Sequence, residues 1–141
     1  MNIVEQLMAY DKGDLTIPKK TVELDLDKLG GVKFTFPIVA LNPEVAAEIQ
    51  EDMFKLTMKG KNKGVAIDQT FFNGKLKTLT EGCPEAFKNK ELQEKFGARS
   101  PYELITILLT PGEIDILKDE IDSISGFDKE GEETEEDAIK N

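Results

Sequence analysis

Three observations predict an α+β domain. A period-two run with a glycine pair inside it lies near the N-terminus. Capped segments with helical spacing of apolar residues follow it, and the last stretch is too acidic to pack. The expected architecture is an N-terminal β-hairpin packed on a mainly helical body of about five helices. Residues 1–127 form that single domain, and 128–141 a flexible, disordered acidic C-terminal tail.

The hairpin is read from Thr21 to Phe36. Val22, Leu24 and Leu26 alternate with Glu23, Asp25 and Asp27; Val32, Phe34 and Phe36 alternate with Lys33 and Thr35. Gly30-Gly31 supplies the positive backbone angles of a tight turn, and Lys33 is expected opposite the acidic face of the first strand. A lone hairpin is marginal in water, so its apolar face must lie on helices. Before it, Asn2 caps a short helix over 2–10 with Ile3, Val4, Leu7 and Met8 in one stripe, and Pro18 keeps 15–20 extended.

After the hairpin, Asn42-Pro43-Glu44 starts a helix over 43–58 whose stripe is Val45, Ile49, Met53 and Leu56. Residues 59–63 belong to a lysine- and glycine-rich loop with nothing to bury. Asp68 caps a helix over 69–81 carrying Phe72, Leu76 and Leu79, with Phe71 beside them. A short turn at 84–88 and a helix from Asn89 to Phe96 precede two capping boxes, at Ser100–Glu103 and Thr110–Glu113. The first opens helix 101–109, apolar nearly all round. The second opens helix 111–124, with Ile114, Leu117, Ile121 and Ile124 in register. From Asp128 to Asn141 seven acids face two lysines, half of the chain's net charge of −10. Such a segment cannot offset its ordering entropy.

Composition excludes several functions. There is no histidine, so imidazole-activated nucleophiles and histidine-bearing zinc sites are out. A net charge of −10 repels phosphate backbones, which makes nucleic acid an unlikely partner. No apolar run approaches the length of a membrane span, and the N-terminus lacks a basic segment followed by a hydrophobic one. Single Cys83 cannot form an internal disulfide, which suits a reducing cytoplasm.

Candidate sites fail one by one. Asp25-x-Asp27 with Gly30 begins like a calcium loop, but Leu29 and Phe36 occupy ligand positions. Gly74-Lys75 is followed by Leu76 and preceded five places earlier by Gln69, so no phosphate cradle forms. Cys83 has no base at hand and reads as structural. Lys55, Lys59, Lys61, Lys63, Lys75 and Lys77 with Phe71 and Phe72 could suit a single strand, but a solvated or protein-binding face is the better reading. No cofactor and no metal are expected, and no enzyme.

The chain resembles the tail assembly chaperones of tailed phages and defective prophages of Gram-positive bacteria, the XkdN-like group. The resemblance runs nearly its full length. It is carried by MNIVEQL at the start, GGVKFTFPIVALNPEVA from Gly30, FFNGKLKTLTEGCPE from Phe71 and ELQEKFGARSPYELITILLTPGEI from Glu91. What it implies is a non-enzymatic protein of the bacterial host cytoplasm. Such a protein binds the tape measure protein, keeps it soluble until the tail tube polymerises, and is absent from the mature virion. It also implies, in relatives, a programmed frameshift whose longer product recruits tail tube protein; Ile139-Lys140-Asn141 can be encoded by a slippery AUA-AAA-AAU. The expected client-binding residues are Phe71, Phe72, Tyr102, Ile105 and Leu109, on exposed parts of helices 69–81 and 101–109. Rival readings are a virion structural component of the tail or connector, and a host-directed regulatory or nucleic-acid-binding protein. A homo-oligomer is compatible with either.

Overall fold

The computed structural model describes the backbone of residues 2–59 and 64–127, and side chains over 2–54 and 71–127. Helix α1 (Ile3–Met8) leads into an extended segment. Strands β1 (Lys19–Leu26) and β2 (Val32–Val39) follow, then helices α2 (Pro43–Lys59), α3 (Gly64–Gly82), α4 (Pro84–Phe87), α5 (Lys90–Lys95), α6 (Pro101–Leu108) and α7 (Pro111–Ile124). The α+β architecture stands, with six helices after the hairpin and one before it. The expected mobile loop at 59–63, apart from Lys59 at the end of α2, and the acidic tail lie outside the described residues.

The strands pair antiparallel in the expected register: Val22 opposite Phe36, Leu24 opposite Phe34, Asp25 opposite Lys33. Lys33 lies 3.8 Å from the Glu23 carboxylate, on the polar face. The connection is longer than a two-residue turn. A 3₁₀ turn over Asp27–Leu29 comes first, and Gly30 and Gly31 then take φ of 74° and 77° to swing the chain into β2. Those angles are why both positions are glycine. Pro37 sits opposite Thr21, between ladder hydrogen bonds, so its missing N–H faces the open edge.

The inner face of the hairpin, Val22, Leu24, Leu26, Phe36 and Ile38, is buried against α7 and α4. The Phe36 ring stacks on Phe87 with centroids 6.1 Å apart. Helix α7 in turn packs on α3, and α3 on α2 and α6. The predicted stripe of α7 is the centre: Ile114, Leu117 and Ile121 are all buried. Gly82 closes the α3–α7 contact, because a Cβ there would stand 2.5 Å from the Ile121 side chain.

Hydrogen bonds lace the hairpin to α7 along its length. The Glu113 carboxylate accepts from the Thr110 N–H at 2.8 Å, completing the capping box, and from the Asp27 N–H at 3.1 Å. Lys20 pairs with Glu120 at 2.7 Å, and the Ser125 hydroxyl accepts from the Leu41 N–H at 2.8 Å. Lys28 adds a bond to the Thr106 carbonyl at 2.8 Å. Burial pushes the Glu113 carboxyl up, but the Thr110 and Asp27 amides outweigh it, and its pKa lies below the ordinary carboxylate value.

Four expectations are corrected. Asp68 is no cap: α3 starts at Gly64 and runs through it without a break. Ser100 caps α6 through the Glu103 N–H, but the Glu103 carboxylate turns to the Arg99 N–H instead of closing the box. Helix α6 ends at Leu108 and is not covered on every side, since Thr106 and Ile107 are exposed. Ile105 and Leu109 belong to the core at 0% and 2% exposure, so neither offers surface to a client. Leu109 is extended, φ −112°, and turns inward after the helix has stopped.

Cys83 is buried among Leu79, Phe87 and Ile121, and burial drives its thiol pKa up to about 11. It should resist alkylation in the native protein at neutral pH and label rapidly once denaturant is added. Fast native labelling would place it outside the core. Glu113→Gln should cost about 1.5–3 kcal/mol, the range for hydrogen bonds to a charged group. Because the folded pKa is depressed, that difference is full above the unfolded carboxyl value. It fades as pH falls through the folded one. Denaturant unfolding across a pH series reads it, and a gap that widens on acidification would contradict the bridging role.

Candidate functional site

Many of the apolar residues left exposed by this packing fall into three places. The first is the α2–α3 pair. On α3, Phe72 continues the row of Leu76 and Leu79, which are buried beneath α6 and α7. Phe71 stands one row over, in line with Gly74 and Thr78. The helix begins before the body that covers its second half, so its apolar row emerges into solvent. Phe71 is 42% exposed and Phe72 39%. On α2 the predicted stripe of Val45, Ile49 and Met53 is half-buried against α3, and Phe54 lies beside it at 65%.

Between these helices and the start of α6 lies a groove of about 390 Å³, lined by Ile49, Asp52, Met53, Gly74, Lys77 and Tyr102 among others. Tyr102 is half-buried at its wall, with its phenol pKa raised, first by that burial. Lys77 pairs with Glu48 at 2.8 Å, and this hydrogen bond holds its ammonium above the ordinary value. At Gly74 the two helices approach closely, since a Cβ there would stand 2.8 Å from the Met53 methyl. Phe71 and Phe72 come just before the lining residues Asn73 and Gly74 in α3 and are not part of the groove's wall. The structure therefore brings Tyr102 to the same helical pair as the two phenylalanines. It sends Ile105 and Leu109 into the core.

Among the described residues, the two lysines of the expected basic set, Lys75 and Lys77, are not free cations. Lys75 is tied to Asp115 at 2.7 Å and Lys77 to Glu48, each across two elements. Lys55, Lys59, Lys61 and Lys63 have side chains outside the described residues.

The second place is a groove of about 440 Å³ beside the turn end of the hairpin. Leu29 and Phe34 line it with Phe87, Leu92, Phe96 and Lys95. The third is α1, where Ile3, Val4, Leu7 and Met8 all face solvent. The sequence had shown these as amphipathic stripes, and what it hid was which of them would find a partner. Among the described residues no cluster of three or more histidine, cysteine, aspartate or glutamate side chains could hold a metal ion. No described helix is long and apolar enough to cross a membrane.

What the arrangement offers is exposed aromatic and aliphatic surface on a rigid body. No curated protein and no solved structure matches the chain. A model of the family described as phage XkdN-like tail assembly chaperone protein, TAC, matches residues 4–140, from the first turn of α1 to the next-to-last residue. That span takes in the hairpin, the α2–α3 pair and both grooves, and the chain belongs to this family of phage tail assembly chaperones.

Proposed function

We propose that this protein holds the apolar face of the unassembled tape measure protein in the cytoplasm of the bacterial host. It releases that face when tube subunits polymerise, and stays out of the finished virion. The observation that carries the reading is the emergent aromatic row of the α2–α3 pair. Phe54, Phe71 and Phe72 are exposed on this pair, and the same two helices form, with Tyr102 at its wall, an open groove. A long helical client exposes apolar stripes at i, i+3, i+4 and i+7, and laying such a stripe along a groove between two helices is a recurrent way of shielding it. No bond is made or broken in this scheme.

The size of the surface suits a temporary hold. A few half-exposed rings carry a limited amount of apolar area, and part of the gain goes to ordering the client. Paired charges at the rim, Lys77 with Glu48 and Lys75 with Asp115, keep neighbouring surface polar. A frameshifted longer form would carry the second half of the scheme, contact with tail tube protein.

Co-expression with the tape measure gene gives the direct test. The client should be soluble and co-purify only when this protein is present. Phe71→Ser with Phe72→Ser should lower client affinity about tenfold or more, equivalent to about 1.4 kcal/mol, while unfolding of the double variant stays cooperative. Undiminished co-purification would remove the α2–α3 surface from the reading. A tape measure protein that is soluble alone, or this chain found by mass spectrometry in purified particles, would overturn the function itself.

A further inference from the structure

Among the described residues nothing covers the hairpin groove or helix α1, and the two complement one another. Helix α1 is properly formed, with Asn2 accepting from the Glu5 N–H at 2.9 Å, yet none of its residues is buried. Its stripe of Ile3, Val4 and Leu7 stands 64–65% exposed. Six residues do not hold a helix on propensity alone, so an apolar stripe of this kind needs a surface to rest on. The groove provides apolar walls from the hairpin, α4, α5 and α6, and its lining contains one charged side chain, Lys95. The one charged side chain of α1 is Glu5, of opposite sign.

We propose that α1 of one copy seats in the hairpin groove of a second copy, giving a dimer with two reciprocal, isologous arm contacts. The direction of the chain selects a second copy over the same one. The Ala40 N–H still bonds the Pro18 carbonyl at 2.9 Å, so the ladder extends past Lys19 and the arm leaves the sheet heading away from the turn. The groove lies at the turn end, beside Leu26, Leu29 and Phe34. To enter it in its own chain, α1 would have to reverse at Pro18 and retrace β1, about 25 Å of strand. It would have nine intervening residues for this, three of them coiled in the 3₁₀ turn Lys12–Asp14. A neighbouring copy asks for no reversal. Leu15 and Ile17, exposed on the extended stretch, add apolar area along the same path.

Light scattering on the purified chain should give twice the monomer mass at high micromolar concentration, and Leu7→Asp should return it to monomer. Leu7 is 65% exposed and outside the core, so the variant should melt like the parent. Placement is read by the double variant Leu7→Cys, Leu29→Cys, since native Cys83 is buried. Mild oxidation should trap a disulfide-linked dimer. A bridge formed within one chain would assign the groove to the chain's own arm and overturn the proposal. A dimer that survives Leu7→Asp would put the contact elsewhere, and a chain monomeric at every concentration would leave the groove to a different protein; either result overturns it.

Discussion

Helix α7 is the beam on which the other elements hang, and the Glu113 carboxylate is where it takes hold of the hairpin. A two-strand sheet has one apolar face and no neighbours in its own plane, so it survives only by lying on something. Here it lies on α7, seated at one end by the Asp27 amide on Glu113 and at the other by the Leu41 amide on Ser125. Glu113 serves two strangers in sequence with one charge, capping its own helix and arresting a turn 86 residues away. Burial of that carboxylate is tolerable because both of its oxygens find N–H donors. Without them, the strand face and the first turn of α7 would each carry an unsatisfied group.

That anchoring also decides which surfaces remain open. With α7 committed to the hairpin on one side and α3 on the other, α3 is enclosed from Leu76 onward, while Phe71 and Phe72 before it stay exposed. The hairpin is likewise covered unevenly: Phe36 and Ile38 reach α4 and α7, whereas Phe34 and Val32, on the same face nearer the turn, overhang them. Exposed aromatic surface here follows from elements being longer than the body that covers them. It is held in place by a rigid core, which lowers the entropy lost when a partner arrives.

Much of this was legible in the residues. The hairpin register followed from strict alternation, and helix starts at Asn42, Asn89, Ser100 and Thr110 followed from short polar side chains with prolines or acids behind them. The failures have local causes. Asp68 looked like a cap because aspartate competes well for backbone amides, but the residues before it are as helical as those after it. The glycine pair suggested a two-residue turn, whereas a 3₁₀ turn at Asp27–Leu29 had to bring the Asp27 amide to Glu113. Ile105 and Leu109 were placed on a surface because a helix apolar on every side invites a partner. Helix α6 stops at Leu108 and its partners are within the domain: α3 and α4 bury it. Sequence periodicity shows that a stripe exists, and only the lengths of neighbouring elements show whether it is covered. Phe71 and Phe72 therefore read like Leu76 and Leu79, though a single turn of helix takes the row from exposed Phe72 to buried Leu76.

The charge distribution gives this exposed surface its specificity. A chain of net charge −10 is kept apart from copies of itself and from other acidic proteins by long-range repulsion, which discourages indiscriminate association through the bare aromatic rows. Close contact must then be earned by short-range complementarity, where screening limits that repulsion to about 8–10 Å. Lys75 and Lys77 on α3 are locked to acids of other elements, so these two do not advertise a positive patch to nucleic acid. Apolar surface surrounded by neutralised pairs, on a body that is acidic as a whole, favours a partner that brings its own apolar stripe over one that brings only charge.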